Sequence, residues 1–444
     1  MTDQHDPFED QLRAALRGSC QHTDVDAFLD EVHRGARRRR TRRVVAGTAA
    51  AVCLVAAGGV AVTSAGVFDD GRTPAADQTV GTTPGTEPPG SPLSSSAAAT
   101  AEEADTADIV PLDLSAADAT HQWLLGASPG GDCGERQCPQ VFATDNAGAS
   151  WTVLSDLPAR RIRGVEDPGS VGGLTFSPDG QDGWAYRGAL LSTHDGGQSW
   201  AQAELPVRAN VVQVELAGDH VLALTYNGET AALLRSPVDS DGWEEVPLEQ
   251  QLGEDVELLS VQEIAAGSGT VILTISHAPS FQGRLMISDD EGATWHEPPN
   301  TGYCEPGRSA GPISVAEEAL WVGCRVNDGP YSMTPVVSTD GGETWQSQGG
   351  SYGAGGKLAA RNEDSAIVME WVDQDLGNGG ARLYDTSVPL DDQPDGIATV
   401  GSGTPLDLFF TDAEVGFVHD ERDGFFRTID GGLTWEQYGV TDLE

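Results

Sequence analysis

The sequence predicts an all-β domain folded as a seven-bladed β-propeller, preceded by an N-terminal cytoplasmic helical tail and one transmembrane helix. Three observations lead to this prediction. The 55 Gly, 25 Pro and 6% aromatic residues favour many short strands and turns over helices. A short motif ending in Trp returns at regular intervals after residue 143, and twenty-five uncharged residues follow an arginine cluster near the N-terminus. The resulting segments are 1–43, 44–68, 69–106 and 107–444.

Residues 1–43 carry two apolar patterns with helical spacing. Phe8, Leu12 and Leu16 lie four residues apart. The second set follows the i, i+3, i+4, i+7 pattern and consists of Val25, Phe28, Leu29 and Val32. These patterns predict two short amphipathic helices. So short a tail cannot build a core, so we expect its apolar faces to meet each other, the membrane surface or a cytoplasmic regulator.

Residues 44–68 are long enough to cross a bilayer as one helix. Seven arginines lie just before them, at positions 34, 37, 38, 39, 40, 42 and 43, and Asp69 and Asp70 lie just after. The positive-inside rule therefore predicts a single-pass protein of the cell membrane with a cytoplasmic N-terminus. The alternative is a cleaved export signal, with twin-arginine character at 41–45 and cleavage near 63–65. Both predict an extracytoplasmic C-terminal domain.

The charge of the chain is concentrated in its outer part. The formal net charge is −44, yet residues 1–43 hold nine arginines against eight acidic residues. Residues 69–106 are rich in Thr, Pro, Gly, Ser and Ala with almost no large apolar side chain, which predicts a disordered stalk. The acidic domain beyond the stalk would repel phosphates, so nucleic acid is excluded as a partner.

One turn-like motif recurs five times: a hydroxyl residue, Asp or Asn two positions later, Gly two after that, a second hydroxyl, then Trp. The copies are Thr144-Asn146-Gly148-Ser150-Trp151, Thr193-Asp195-Gly197-Ser199-Trp200, Ser288-Asp290-Gly292-Thr294-Trp295, Ser338-Asp340-Gly342-Thr344-Trp345 and Thr428-Asp430-Gly432-Thr434-Trp435. The pattern is typical of a tight hairpin, because a carboxylate can accept backbone N–H groups and Gly tolerates positive φ. The Trp then opens the next strand.

The spacing of the motif sets the blade count. The gaps between the Trp residues are 49, 95, 50 and 90, so two are about double. Segments 233–243 and 381–386 fill them as eroded copies, which makes seven units of 43–52 residues. Each unit also has one apolar run, interpreted as its inner strand. The runs are 121–126, 183–186, 221–224, 271–274, 320–323, 366–369 and 415–418. Six or eight blades would also fit such degenerate repeats.

The motif resembles the Asp box, or bacterial neuraminidase (BNR) repeat, S/T-x-D-x-G-x-T-W, found in sialidases, xyloglucan-cleaving glycosidases, sortilin-type receptors and photosystem II assembly-factor propellers. The resemblance implies that the boxes lie on the rim, away from the ligand face, so their Asp, Gly and Trp residues are structural. Gly183-Trp184-Ala185 ahead of the second box looks closest to the non-enzymatic assembly-factor type. No catalytic residue is assigned.

The signature of an active sialidase is missing. Such enzymes carry F/Y-R-I-P before the first box, whereas the nearest string here, Arg161-Ile162-Arg163, follows it. The leading hypothesis is therefore a membrane-anchored scaffold that binds a protein or glycan on the propeller face. The runner-up is an exo-acting glycoside hydrolase of sialidase-like type, which would need only two close carboxylates. A third hypothesis is a transmembrane sensor, because the tail, arginine cluster and single span resemble bacterial anti-sigma proteins.

The cysteines of the outer domain predict two disulfides, Cys133–Cys138 and Cys304–Cys324, as expected outside the membrane. A metal site at Cys133 and Cys138 is the alternative. Residues 289–292, Asp-Asp-Glu-Gly, superficially resemble a calcium loop but lack its terminal Glu. The nine His form no H-x-x-x-H cluster, so neither a metal nor a cofactor is predicted.

Overall fold

The computed structural model describes residues 109–438 except 129–137, 159–160, 163–169, 229, 249–250, 252–257, 268, 278–282, 306–307, 327–331, 354–355 and 373–379. The predicted tail at 1–43, span at 44–68 and stalk at 69–106 lie outside the described residues. Within the described part, no helix combines the length and the apolar character needed to cross a bilayer.

The described residues form seven antiparallel sheets whose strands follow one another in chain order. Blades one to three contain β1 Val110–Ala116, β2 Gln122–Ser128, β3 Cys138–Thr144 and β4 Thr152–Asp156; β7 Gly173–Phe176, β8 Gly183–Tyr186, β9 Leu191–Thr193 and β10 Ala201–Gln202; and β11 Asn210–Ala217, β12 His220–Tyr226, β13 Ala231–Pro237 and β14 Glu244–Glu245. Between the first two blades along the chain, β5 Arg161–Ile162 pairs in parallel with β6 Ser170–Val171.

The later blades repeat this plan. Blade four contains β15 Leu258–Ala266, β16 Val271–His277 and β17 Gly283–Ser288, and blade five β18 Arg308–Ala316, β19 Ala319–Val326, β20 Ser332–Ser338, β21 Gln346–Ser347 and β22 Tyr352–Gly353. Blade six contains β23 Lys357–Ala360, β24 Ala366–Val372, β25 Gly380–Asp385 and β26 Ala398–Val400, and blade seven β27 Pro405–Phe410, β28 Gly416–Asp420, β29 Gly424–Thr428 and β30 Glu436–Tyr438.

The sheets are arranged as a closed ring. The first strand of each blade contacts the first strand of the next, from β1 with β7 through to β23 with β27. Blade seven packs back on blade one in one apolar cluster that includes Leu124, Trp151, Phe417 and Tyr438. The all-β seven-bladed prediction is therefore confirmed, and the eroded copies lie at the β13–β14 and β25–β26 connections.

The apolar runs that the sequence suggested as inner strands are the second strands of the blades, so that assignment was wrong. Leu222 and Ala223 of β12, for example, are fully buried because neighbouring blades cover both faces of the sheet. The first strands surround the axis instead. They are more polar, since one face lines the central channel.

Five of the first strands contain a β-bulge. The shifts in register precede Asp113, Gln213, Ile313 and Asp407, and β15 has two, the second before Glu263. A bulge bends its strand and re-aims the side chain that follows it. At five of these six places the following residue is polar or charged, and Ile313 is the exception.

Side chains of the first strands also bridge neighbouring blades. Each first strand is the edge of its sheet and would leave backbone N–H groups without partners. The N–H of Leu174 donates to the Asp113 carboxylate at 2.8 Å, and the N–H of Ile264 donates to the Gln213 side chain at 3.2 Å. Polar residues on the first strands therefore serve in part as hydrogen-bond acceptors for backbone N–H groups at the sheet edges.

Candidate functional site at the channel and the face opposite the Asp boxes

Four of the five boxes form the turns between the third and fourth strands of their blades, and the box at Ser288 follows β17, the third strand of blade four. In the fifth blade, Ser338 Oγ donates to Asp340 at 2.8 Å and accepts the N–H of Gly342 at 2.8 Å. Asp340 also accepts the backbone N–H of Thr344 at 2.8 Å and its hydroxyl at 2.6 Å. These bonds from Thr344 and Ser338 hold the pKa of Asp340 below its usual value. The carboxylate is thus engaged within its own turn.

The other boxes with an Asp share this geometry. The carboxylates of Asp195, Asp290 and Asp430 accept the hydroxyls of Ser199, Thr294 and Thr434 at 2.6–2.7 Å. The glycines after them have positive φ, as the motif requires, at Gly197, Gly292, Gly342 and Gly432. The indole N–H of the closing Trp donates to the carbonyl of that glycine; the residues are Trp200, Trp295, Trp345 and Trp435.

The first box has Asn146 in place of Asp and therefore a different set of hydrogen bonds. Asn146 accepts the Thr144 hydroxyl at 2.8 Å and the N–H of Ser150 at 3.0 Å, but its amide donates to the Ser150 hydroxyl. Gly148 keeps the positive φ of 79°. The buried indole N–H of Trp151 has no hydrogen-bond partner among the described residues, unlike its four counterparts.

The disulfide Cys304–Cys324 joins the segment after blade four to β19, with the Cα atoms 5.5 Å apart. Cys133 lies outside the described residues, and Cys138 is described only as the backbone start of β3. Arg161 and Ile162 form the short strand β5. Within the described ranges, no group of three or more His, Cys, Asp or Glu side chains is placed to hold a metal ion.

The channel brings together charged residues that are far apart in the sequence. The carboxylates are Asp113, Glu215, Glu263 and Asp407, and the cations are Lys357, Arg187 and Arg325; each blade contributes one of these seven residues, and their charges act on one another. Lys357 Nζ lies 2.8 Å from Asp407, and these two side chains are 42% and 38% exposed. Sequence reasoning missed this cluster because no local motif marks it.

The channel carboxylates differ in acidity. Burial raises the pKa of Asp113, Glu215 and Glu263 to about 7 in each case. Burial acts on Asp407 in the same direction, but the Lys357 ammonium outweighs it and holds the pKa of Asp407 below its usual value. The pKa values of the channel carboxyl groups therefore depart from their ordinary values in opposite directions.

The face opposite the boxes carries an apolar groove. It has a volume of about 480 Å³ and lies between blades two and three. Leu190, Leu205 and Val207 form its apolar wall, and Arg208 lies at the same groove. Tyr226, beside the groove residue Asn227, is one of the few exposed large apolar side chains of the described residues. Apolar walls with a few polar groups are typical of ligand sites.

These features define a seven-bladed β-propeller with Asp-box turns. Comparison with known proteins agrees: residues 336–347, which contain the box of the fifth blade at 338–345, match the family model described as the BNR/Asp-box repeat. No curated protein matches the chain.

Several solved structures are similar to this chain. A puromycin-hydrolysing peptidase from Mycobacterium tuberculosis is similar at 14% identity with a TM-score of 0.50, over 76% of this chain and 54% of that one. YCF48 bound to D1 peptide is similar at 17% identity and a TM-score of 0.46, over 74% of this chain and 96% of that one. The GH74 xyloglucanase from Xanthomonas campestris is similar at 15% identity and a TM-score of 0.38, over 74% of this chain and 66% of that one. At such identities the likeness concerns the fold alone.

Proposed function

We propose that the protein is a surface-tethered binding propeller that takes an extended segment of a protein partner on the face opposite the Asp boxes. The groove between blades two and three carries this proposal. Its apolar wall of Leu190, Leu205 and Val207 would accept apolar side chains, and Tyr226 would add an exposed aromatic contact. Trp371, 53% exposed at the end of β24, extends the aromatic character of this face to blade six.

The face assignment is tested by photo-crosslinking in cells that express the full chain. A photo-reactive amino acid replaces Tyr226 in one variant and Ile429 in another. Ile429 is a matched control, because it is also apolar and 57% exposed but belongs to the last Asp box. We expect a discrete crosslinked partner from position 226 and none from 429. Equal crosslinking from both positions, or none from 226, would reject the groove as the binding face.

The same proposal includes a membrane anchor, which residues 44–68 would form. A permanent anchor predicts that the full-length chain fractionates with membranes and that protease added to intact cells removes the propeller. A cleaved export signal would instead release a chain that begins after residue 65. Protection of the propeller from external protease would contradict an extracytoplasmic location.

The channel favours glycoside hydrolysis as a second candidate function. Glycosidases pair a carboxylic acid of raised pKa with an ionised carboxylate. Glu263, with its raised pKa, and Asp407, with its lowered pKa, would serve as acid and as base or nucleophile. A panel of chromogenic glycosides tests this function: wild type should release the chromophore, and both Glu263→Gln and Asp407→Asn should lose at least about a hundredfold in rate. A wild-type protein without turnover excludes it.

A further inference from the structure

A second cavity lies on the same face as the groove, between blades four and five. Its volume is about 310 Å³. The residues that matter for ligand chemistry are Arg284, Arg308, Tyr303, Ser309 and Glu297. Two guanidinium groups thus line one small cavity in a chain with a net charge of −44.

Arg308 presents part of its guanidinium to the cavity. Its side chain is only 19% exposed, and Nη1 donates to the carbonyl of Cys324 at 3.2 Å and to the hydroxyl of Thr334 at 3.0 Å. Among the described residues, Nη2 has no hydrogen bond, and the nearest carboxylate is that of Glu305, 3.6 Å from Nε. Glu305 is 83% exposed, so water screens that pair strongly.

Two hydroxyl groups add further donors. The Tyr303 oxygen accepts the N–H of Leu285 at 2.9 Å, which leaves its proton without an acceptor among the described residues. Burial raises the pKa of Tyr303, so this proton is retained at neutral pH. Ser309 also lines the cavity, and its hydroxyl has no hydrogen-bond partner among the described residues. The cavity therefore offers an excess of donors over acceptors.

The disulfide holds these donors in place. Cys304 follows Tyr303 directly, and the carbonyl of its partner Cys324 accepts the bond from Arg308. Both donors are thus fixed to one covalent link, which reduces the entropy lost when a ligand is bound. Glu297 lines the same cavity but is paired with Arg284.

We propose that this cavity binds a small organic acid through its carboxylate. A guanidinium with neighbouring hydroxyls matches a planar two-oxygen anion. The acidic chain disfavours a doubly charged phosphate more than a monoanion. The volume is that of roughly ten water molecules, which suits a small molecule. This ligand chemistry is independent of the protein partner proposed for the groove.

Calorimetric titration of the full chain in detergent at low ionic strength tests the site, with N-acetylalanine as probe and N-acetylalanine amide as its neutral counterpart. The acid should bind saturably and the amide should not. Arg308→Gln should weaken binding about tenfold to a hundredfold, because it removes the charged donor. Arg422→Gln is the matched control and should bind like wild type, since Arg422 is an exposed arginine outside the cavity.

A second variant, which should bind the acid more tightly, tests the site even if Arg308→Gln fails to fold. Glu297→Gln removes the one carboxylate among the described residues that line the cavity and leaves Arg308 intact, so we expect severalfold tighter binding. The proposal is overturned if wild type does not bind the acid, if the amide binds equally, or if neither Arg308→Gln nor Glu297→Gln changes the affinity.

Discussion

At the scale of single residues, each Asp box satisfies its own polar groups. The Asp290 carboxylate accepts the N–H and hydroxyl of Thr294 and the hydroxyl of Ser288 at 2.7–2.9 Å. Two successive residues of the turn have positive φ, Glu291 at 57° and Gly292 at 82°. The box therefore specifies a backbone conformation as well as a set of hydrogen bonds.

The two positive-φ positions of the box should differ in how well they tolerate replacement by Ala. Gly292→Ala would place a Cβ 2.7 Å from Leu222 of the preceding blade, whereas the Cβ of Gly341→Ala would meet nothing within 4 Å. Ala147 and Glu291 already occupy the position of Gly341 in other boxes. We expect Gly292→Ala to lower the free energy of unfolding by about 2–4 kcal/mol and Gly341→Ala by about 1 kcal/mol or less. Urea unfolding measures both free energies. Equal losses of stability in the two variants would contradict a steric clash between the new Cβ and Leu222.

The channel acids give a pH prediction at the same scale. The folded state binds a proton at Glu263 up to pH 7, whereas an unfolded Glu has a pKa near 4.5. Stability from this group is thus fully present below pH 4.5 and declines as the pH rises to 7. Glu263→Gln should leave stability unchanged at pH 4 and raise it by about 1–2 kcal/mol at pH 8, allowing for screening by channel water.

Thermal unfolding between pH 4 and pH 8 checks this prediction. The control is Glu244→Gln, because Glu244 is an exposed residue of β14. It should shift stability little at either pH. A destabilised Glu263→Gln variant at pH 8 would show that the ionised carboxylate is required by the fold.

At the scale of elements, each box is also a joint between blades. Arg235 of blade three donates from Nε to the carbonyl of Glu291 in blade four at 2.8 Å, and Ser155 of blade one donates to the carbonyl of Gly197 in blade two at 2.6 Å. The two carbonyls occupy neighbouring positions of the box, since Glu291 directly follows the box Asp and Gly197 is the box Gly. Local turn geometry thereby contributes to the packing of the ring.

The disulfide Cys304–Cys324 is the one covalent cross-link among the described residues. Cys304 and Cys324 are separated by 20 residues, and closing a loop of that length restricts the unfolded chain. Replacing both by Ser should lower the free energy of unfolding by about 3 kcal/mol. Wild type in reductant should approach the stability of the double variant, as measured by urea unfolding. If reductant leaves wild type unaffected, the bond contributes little.

At the scale of the whole molecule, no strand is shared between the two ends of the ring within the described residues 109–438. Blade one contains β1–β4 and blade seven contains β27–β30, so the described seam consists of side-chain packing and hydrogen bonds rather than strand pairing. The hydroxyl of Tyr438 bonds to Gln122, and Arg427 lies 4.6 Å from the Tyr438 ring while donating to the carbonyl of Ala147 at 3.1 Å. This is the seam at which we expect the ring to open first.

Tyr438→Ala tests the seam. It removes a buried aromatic ring and the bond to Gln122, so we expect a loss of about 3–5 kcal/mol and faster proteolysis near both ends of the propeller. Trp243→Ala is the comparison, because Trp243 is similarly buried but belongs to blade three, which is chain-linked on both sides. Its proteolysis should begin near blade three, and identical cleavage patterns would contradict a weak seam.

The sequence by itself determined the repeating hairpins and their period, because the box turn is made by hydrogen bonds within eight consecutive residues. It favoured seven blades but left six or eight open, and the tertiary structure decided the count. The sequence did not distinguish the second strand from the first, since burial between blades depends on the closed ring. The channel acids Asp113, Glu215, Glu263 and Asp407, the groove at Arg208 and the cavity at Arg308 were decided only by the tertiary structure. Their members come from different strands or blades, and ring closure rather than any local pattern places them together.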